Sequence, residues 1–182
     1  MLSFNFNPFP QLETERLVLR QVTMRHAKDL FPLRSDPEVM KYICKPLAQD
    51  ISEVKSLINR IQIGIRKNQS IAWGISMKGE TKIMGTIGFH FIDSEHHRAE
   101  IGYMLGKPFW NKGFLSEAMP CVIKYGFDVM KLHSIEAKID TDNTFSKRLL
   151  LNNKFVKEAY FKGNYFFNEQ FLDTEVFSLI KS

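Results

Sequence analysis

The stretch that decides the fold is Ala99–Ala118, AEIGYMLGKPFWNKGFLSEA. Its first half alternates, with Ala99, Ile101, Tyr103 and Leu105 on one side and Glu100, Gly102 and Met104 on the other. That period of two predicts a strand. Gly106-Lys107-Pro108 ends it, because proline has no N–H to give to a ladder. The period then changes. Leu115, Ala118, Met119, Val122, Ile123, Phe127 and Met130 recur at three- and four-residue spacing, the apolar stripe of a helix. Between strand and helix lies Trp110-Asn111-Lys112-Gly113-Phe114-Leu115-Ser116. A glycine there allows a tight turn and presents amide N–H groups where the helix dipole is positive, and Lys112 adds a cation. Such a junction is either a cradle for a phosphate-bearing ligand or a plain connection. It contains neither G-x-x-x-x-G-K-[ST] nor G-x-G-x-x-G.

Outward from this stretch, the bulk numbers set bounds. At 182 residues the chain suits one well-packed domain over 1–182 and is short for two. A hydrophobic share of 44% and a charged share of 25% are those of an ordinary globular protein. No apolar run has the length of a membrane span, and the N-terminal residues lack a basic region followed by an apolar stretch. Cys44 and Cys121 have no metal-ligand spacing and suggest no disulfide framework, so a cytoplasmic location is the default. The net charge of +5 favours anionic partners, cofactor or nucleic acid. The basic residues are scattered, which speaks against nucleic acid.

Residues 1–11, with three phenylalanines and two prolines, predict an extended segment on the domain surface. Leu12–Arg20 alternates as a first strand. Short helices are expected over Ala27–Leu33 and from Asp36-Pro37-Glu38 through Tyr42. Asp50, with Glu53 three residues on, starts a longer helix ending near Lys67-Asn68. Strands are expected over Ile71–Met77, Lys82–Ile92 and His133–Asp140, with Gly85 and Gly88 marking a bulge or a close neighbour in the second. Asp140–Thr144 is rich in capping residues, and Phe145, Leu149 and Leu150 begin a helix. Phe155–Phe161 and Phe171–Ile180 close the chain as strands. His96-His97 reads as a pair of solvated turn histidines, since adjacent residues point apart and no third ligand is suitably spaced. Pro120 inside the predicted helix requires a later start or a kinked first turn.

Four motifs resemble one family. Trp110–Ala118, WNKGFLSEA, is similar to the acetyl-CoA signature of the GNAT superfamily of N-acetyltransferases. It resembles more narrowly the W-G-K-G-Y-A-T-E-A loop of the RimJ/RimL-like ribosomal-protein N-terminal acetyltransferase branch. LETERLVLR at Leu12–Arg20, DPEVMKY at Asp36–Tyr42 and N-x-x-S-x-R-L-L at Asn143–Leu150 resemble the same branch. Trp110 stands where most of the superfamily has Arg or Gln, Asn111 and Leu115 replace small residues, and Lys154 replaces a glycine. The resemblance implies a mixed α/β GNAT fold, its central, mostly antiparallel twisted sheet splayed at the central strand and flanked by helices. It also implies acetyl-CoA as cosubstrate, direct transfer and no metal. Trp110, Asn111, Lys112, Gly113, Phe114, Leu115 and Ser116 would grip the pyrophosphate, the backbone at Met104 and Leu105 would pair with the pantetheine arm, and Asn143 would cap a helix and touch cofactor.

The implied chemistry is acetyl transfer from a thioester to a primary amine. It needs an uncharged amine, a polarised carbonyl and a stable leaving thiolate. Glu100 matches the carboxylate that deprotonates the amine, against the alternative of a solvated or salt-bridged strand glutamate. Many relatives carry a tyrosine acid where Leu150 stands, which leaves the Ser146 hydroxyl as donor, against a small polar residue facing solvent. A protein or peptide N-terminus is the expected acceptor. A small amine (amino acid, polyamine or aminoglycoside) or a CoA-binding module without catalysis is the alternative, and a homodimer is left open.

Overall fold

The computed structural model describes residues 2–181. Its strands are β1 (Leu12–Glu13), β2 (Leu17–Gln21), β3 (Ile71–Met77), β4 (Gly85–Asp93), β5 (Arg98–Leu105), β6 (Ser134–Asp140), β7 (Val156–Phe167) and β8 (Gln170–Ile180). Its α-helices are α1 (Ala27–Ser35), α2 (Pro37–Met40), α3 (Ile51–Arg66), α4 (Phe114–Asp128) and α5 (Thr144–Asn152). The strands form one sheet in the order β1-β2-β3-β4-β5-β6-β8-β7. Every pairing is antiparallel except that between β5 and β6.

That exception makes the site. β5 and β6 pair only at Arg98↔Ser134, Ala99↔Ile135 and Glu100↔Glu136. Beyond Glu100, β5 stays with β4 as far as Leu105, while β6 follows β8 to Asp140. The two strands part, and a cleft opens where the alternating stretch predicted the centre of the fold. Two layers cover the sheet. Ala118, Met119 and Val122 of α4 are fully buried in a core with Trp73, whose ring meets Tyr125 and Phe89 edge-on at 5.3 and 6.5 Å. Leu30 and Leu33 of α1 pack with Val54, Ile58 and Ile83 in a second cluster.

Several expectations need correction. Leu12–Arg20 is two paired strands, because Thr14 makes a tight turn: its N–H donates to the Leu17 carbonyl, and its hydroxyl accepts from the Leu17 N–H. The N-terminal segment is not only surface. Phe6 is buried, and the Trp73 indole donates to the Pro10 carbonyl at 2.6 Å; Met1 lies outside the described residues. β4 begins at Gly85 rather than Lys82, and α2 ends at Met40 rather than Tyr42. Gly85 and Gly88 answer to close neighbours, since a Cβ on either would lie about 2 Å from a carbonyl oxygen of the adjoining strand. α4 starts at Phe114 despite Pro120. Pro120 is exposed, so the Ser116 carbonyl it leaves without an N–H faces solvent, where water can satisfy it.

Candidate active site

On one side of the cleft a cavity of about 250 Å³ lies between the end of β5, the 110–115 loop and the start of α5. Met104, Leu105, Trp110, Asn111, Leu115, Asn143 and Ser146 all line it. The loop is shaped by its backbone. Asn111 has φ +58° and Gly113, the N-cap of α4, has φ +78°. Left-handed residues at both positions turn the chain, and asparagine tolerates that region better than most side chains. No side chain caps the first turn of α4 at Gly113, so its N–H groups are free to meet an anion. Trp110, which lines the cavity, also braces the loop. Its indole N–H donates to the Leu105 carbonyl at 2.6 Å, tying the loop to the strand it leaves.

The two strongest motifs meet here. Glu117, in the first turn of α4, accepts from the Thr14 hydroxyl at 2.5 Å, the Arg16 N–H at 2.8 Å and the Arg16 Nε at 2.6 Å. Arg16 also donates to the Lys112 carbonyl at 3.2 Å and lies over the Phe114 ring. Burial alone would raise the Glu117 pKa, but the bonds from Thr14 and Arg16 outweigh it and hold the carboxyl below its usual range. The T-x-R of the first strands therefore fixes the loop from outside. Of the other loop residues, Lys112 and Ser116 are exposed and Phe114 is buried, its ring 6.5 Å from Phe109. Neither these three nor Gly113 lines the cavity, so that stretch of the loop lies beside it.

On the other side a cavity of about 570 Å³ runs under α1 and α3 towards the β7–β8 hairpin. It shares Tyr42, Ile43, Tyr103, Met104, Asn143 and Ser146 with the first, so the two meet at the end of β5 and the start of α5. Glu100 faces this second cavity and is held by an ion pair: Lys138 Nζ lies 2.7 Å from its carboxylate and 3.2 Å from that of Glu136. Tyr165 closes part of the mouth, its hydroxyl donating to the Cys44 carbonyl at 3.3 Å and receiving Lys45 Nζ at 3.5 Å.

The start of α5 is built as its capping residues foretell. The Asn143 side chain accepts from the Ser146 N–H at 3.0 Å. Ser146 is buried, which removes the solvent-facing alternative, and Leu149 and Leu150 turn into the core. Glu175, paired with Lys147 at 2.8 Å and Lys157 at 2.6 Å, ties this helix to the terminal hairpin.

Two residues belong to the site that the sequence pattern does not single out. The Tyr103 hydroxyl is buried and makes no hydrogen bond among the described residues. Burial, offset only in part by an interaction with Ser146, pushes its pKa up to about 12, so it stays a neutral O–H between the two cavities. A hydroxyl on an apolar strand face was the available signal. His90 also lines the larger cavity. It is the extra residue of a bulge, since Phe89 pairs with Ile101 and Phe91 with Glu100. No single-sequence pattern marks such a bulge.

These features are those of one enzyme family. A profile of the acetyltransferase (GNAT) domain matches residues 16–156. The uncharacterised N-acetyltransferase YoaA of Bacillus subtilis (strain 168) is 38% identical over 173 residues, covering 95% of this chain and 98% of its own. The ribosomal-protein-serine acetyltransferase of Escherichia coli (strain K12) is 24% identical over 168 residues, covering 92% and 94%. Among solved structures, RimL, a ribosomal L7/L12 alpha-N-protein acetyltransferase in complex with coenzyme A, superposes with a TM-score of 0.85 at 17% identity, over 94% of this chain and 98% of that one. The chain belongs to the GNAT family and is an acetyl-CoA-dependent N-acetyltransferase. Among the described residues no helix is long and apolar enough to cross a membrane.

Proposed function

We propose that this chain acetylates the N-terminal amine of a protein or peptide in the cytoplasm, binding acetyl-CoA along the smaller cavity and the amine through the larger. The observation that carries this reading is the meeting of the two cavities at Tyr103, Met104 and Ser146, which lets both substrates reach one point. The pyrophosphate lies on the amides of Trp110–Ser116 at the α4 N-terminus, where backbone N–H groups and the helix dipole favour an anion. The pantetheine arm runs along the backbone of Met104 and Leu105 beside Asn143. Glu100 supplies the carboxylate that draws in the substrate ammonium and promotes its deprotonation through an intervening group. Ser146, buried at the junction, protonates the leaving thiolate.

Similarity to a ribosomal-protein-serine acetyltransferase supports a peptide acceptor. The bridge from Tyr165 to Cys44 and Lys45 narrows the entrance and favours a second reading, a small free amine. Turnover of acetyl-CoA with peptides carrying free N-termini, beside a panel of amino acids and polyamines, decides between them. Free-N-terminus peptides are expected to dominate, with their blocked counterparts silent. Turnover confined to the small amines overturns the peptide reading.

A further inference from the structure

Met104, Gly102 and Glu100 share one face of β5, and the cleft's chemistry is spread along it. At about 3.3 Å per residue, Glu100 lies about 13 Å from Met104 along the strand. A glutamate side chain spans only part of that gap, and this one is turned aside to Lys138 on β6. If the thioester lies at Met104, as proposed above, the carboxylate does not reach an amine poised to attack it.

One group fills the interval. The His90 ring lies directly over Gly102: a Cβ there would come within 2.1 Å of Nε2 and 2.4 Å of Cδ2. Any other residue at 102 would drive the ring away. The bulge supplies the other half of the arrangement, because an extra residue in β4 re-aims a side chain that a regular strand would place elsewhere. We infer that His90 is a catalytic residue, the group that takes the first proton from the acceptor ammonium, with Glu100 behind it as the anion that steadies the imidazolium. The inference rests on the proposed placing of the two substrates.

The step balances. An ammonium N–H bond breaks and its proton moves to an imidazole nitrogen of His90. The freed lone pair forms the C–N bond to the acetyl carbon, and collapse of the adduct breaks the C–S bond. The second N–H proton passes to the departing thiolate, giving the free thiol of CoA. His90, an exposed residue that lines the larger cavity, returns its proton to solvent.

The electrostatics agree with that role. Partial desolvation by its neighbours lowers the His90 pKa, and the charge of Glu100 on β5 raises it, with desolvation prevailing. The other charged groups facing the cavity are Arg34 of α1, Lys45 before α3, Lys138 and Asp140 of β6 and Asp173 of β8. A neutral imidazole is the form that accepts a proton, and the lowered pKa favours that form at pH 7.

His90→Gln tests this. With the best acceptor from the panel, kcat/KM is expected to fall about a hundredfold at pH 7 while the acetyl-CoA dissociation constant holds. The loss should shrink by pH 9, above the pKa of about 8 of a peptide amine, which then enters already deprotonated. Gly102→Ala, which displaces the ring without changing it, should lose activity in the same pH-dependent way and add little to His90→Gln. Unchanged kcat/KM in a His90→Gln protein that still binds acetyl-CoA overturns the inference. If that variant does not fold, an unaffected Gly102→Ala overturns it equally. A loss from Glu100→Gln with none from His90→Gln leaves the proposed function standing and removes His90 alone, whereas no loss from either removes the acceptor side of that reading.

Discussion

The two cavities at the splay differ in what they are made of. The smaller one lies against a loop shaped by backbone: two left-handed residues, an uncapped helix start, and a strand end whose carbonyl is held by Trp110. The larger one is a meeting of side chains from α1, the segment before α3, β4, β5, β6 and the β7–β8 hairpin. A backbone cradle suits the part of a ligand that does not vary, a pyrophosphate, because amides cannot be exchanged by point substitution. A wall of side chains suits the part that does vary, since each element alters it independently. On the proposed function the first wall carries cofactor binding and the second carries acceptor choice. Substitutions should separate the same way.

The largest separation is expected from Gly113→Val. Little crowds a Cβ there, the nearest atom being Arg16 at 3.5 Å, so the damage comes from forcing a β-branched residue to φ +78° and from blocking the anion's approach. CoA affinity by calorimetry should drop on the order of a hundredfold. Unchanged affinity in a folded variant would move the pyrophosphate off this loop.

Ser146→Ala comes next, at the point where the cavities meet. A thiol with a pKa of about 8.5 leaves tolerably as its thiolate, so losing the donor should lower kcat only about tenfold. CoA affinity should be nearly intact. Full activity would hand the donor role to the Tyr103 hydroxyl beside it, and lost affinity would make Ser146 a binding residue.

Arg16→Ala acts from outside the cavity. It loses bonds to Glu117 and the Lys112 carbonyl, but Arg16 is 43% exposed and solvent screens the pair. The KM for acetyl-CoA should rise about fivefold with kcat little changed. Arg16→Lys should recover only part of it, because an ammonium cannot serve carboxylate and carbonyl with a planar fork. A fall in kcat with KM fixed would break the assignment of this lock to the cofactor side.

The smallest effect is expected away from both walls. Lys154 keeps the left-handed turn, at φ +65°, that the family makes with glycine. Lys154→Gly should stabilise the protein by about 0.5–1 kcal/mol, the relief of strain outweighing glycine's greater freedom when unfolded. A thermal melt should rise by roughly 2 °C with acetylation unchanged.

The same division explains what could be read from the sequence. The 99–118 stretch, the capping residues at Asp50 and Asn143 and the stripe of α4 all encode local geometry, and all appear where their periods put them. The splay was legible only through resemblance, because nothing in β5 or β6 alone says that their pairing stops after Glu100 and Glu136. The meaning of T-x-R lay in Glu117, about a hundred residues away, whose carboxylate accepts from Thr14 and Arg16 at the turn that breaks Leu12–Arg20 in two. Phe6 sank into the core for a similar reason, its N–H donating to the side chain of distant Asn68. His90 and Tyr103 were hidden for opposite reasons. One is aimed by a bulge that the pattern cannot foretell, and the other counts among the apolar residues of its strand while carrying a buried hydroxyl.

The central claim is that both substrates occupy the joined cavities together and that the acetyl group passes directly between them. Initial velocities measured while acetyl-CoA and the best acceptor peptide are varied against each other test it most directly. A ternary complex predicts double-reciprocal lines that intersect. Parallel lines, the mark of an acetylated enzyme formed before the acceptor binds, would contradict it.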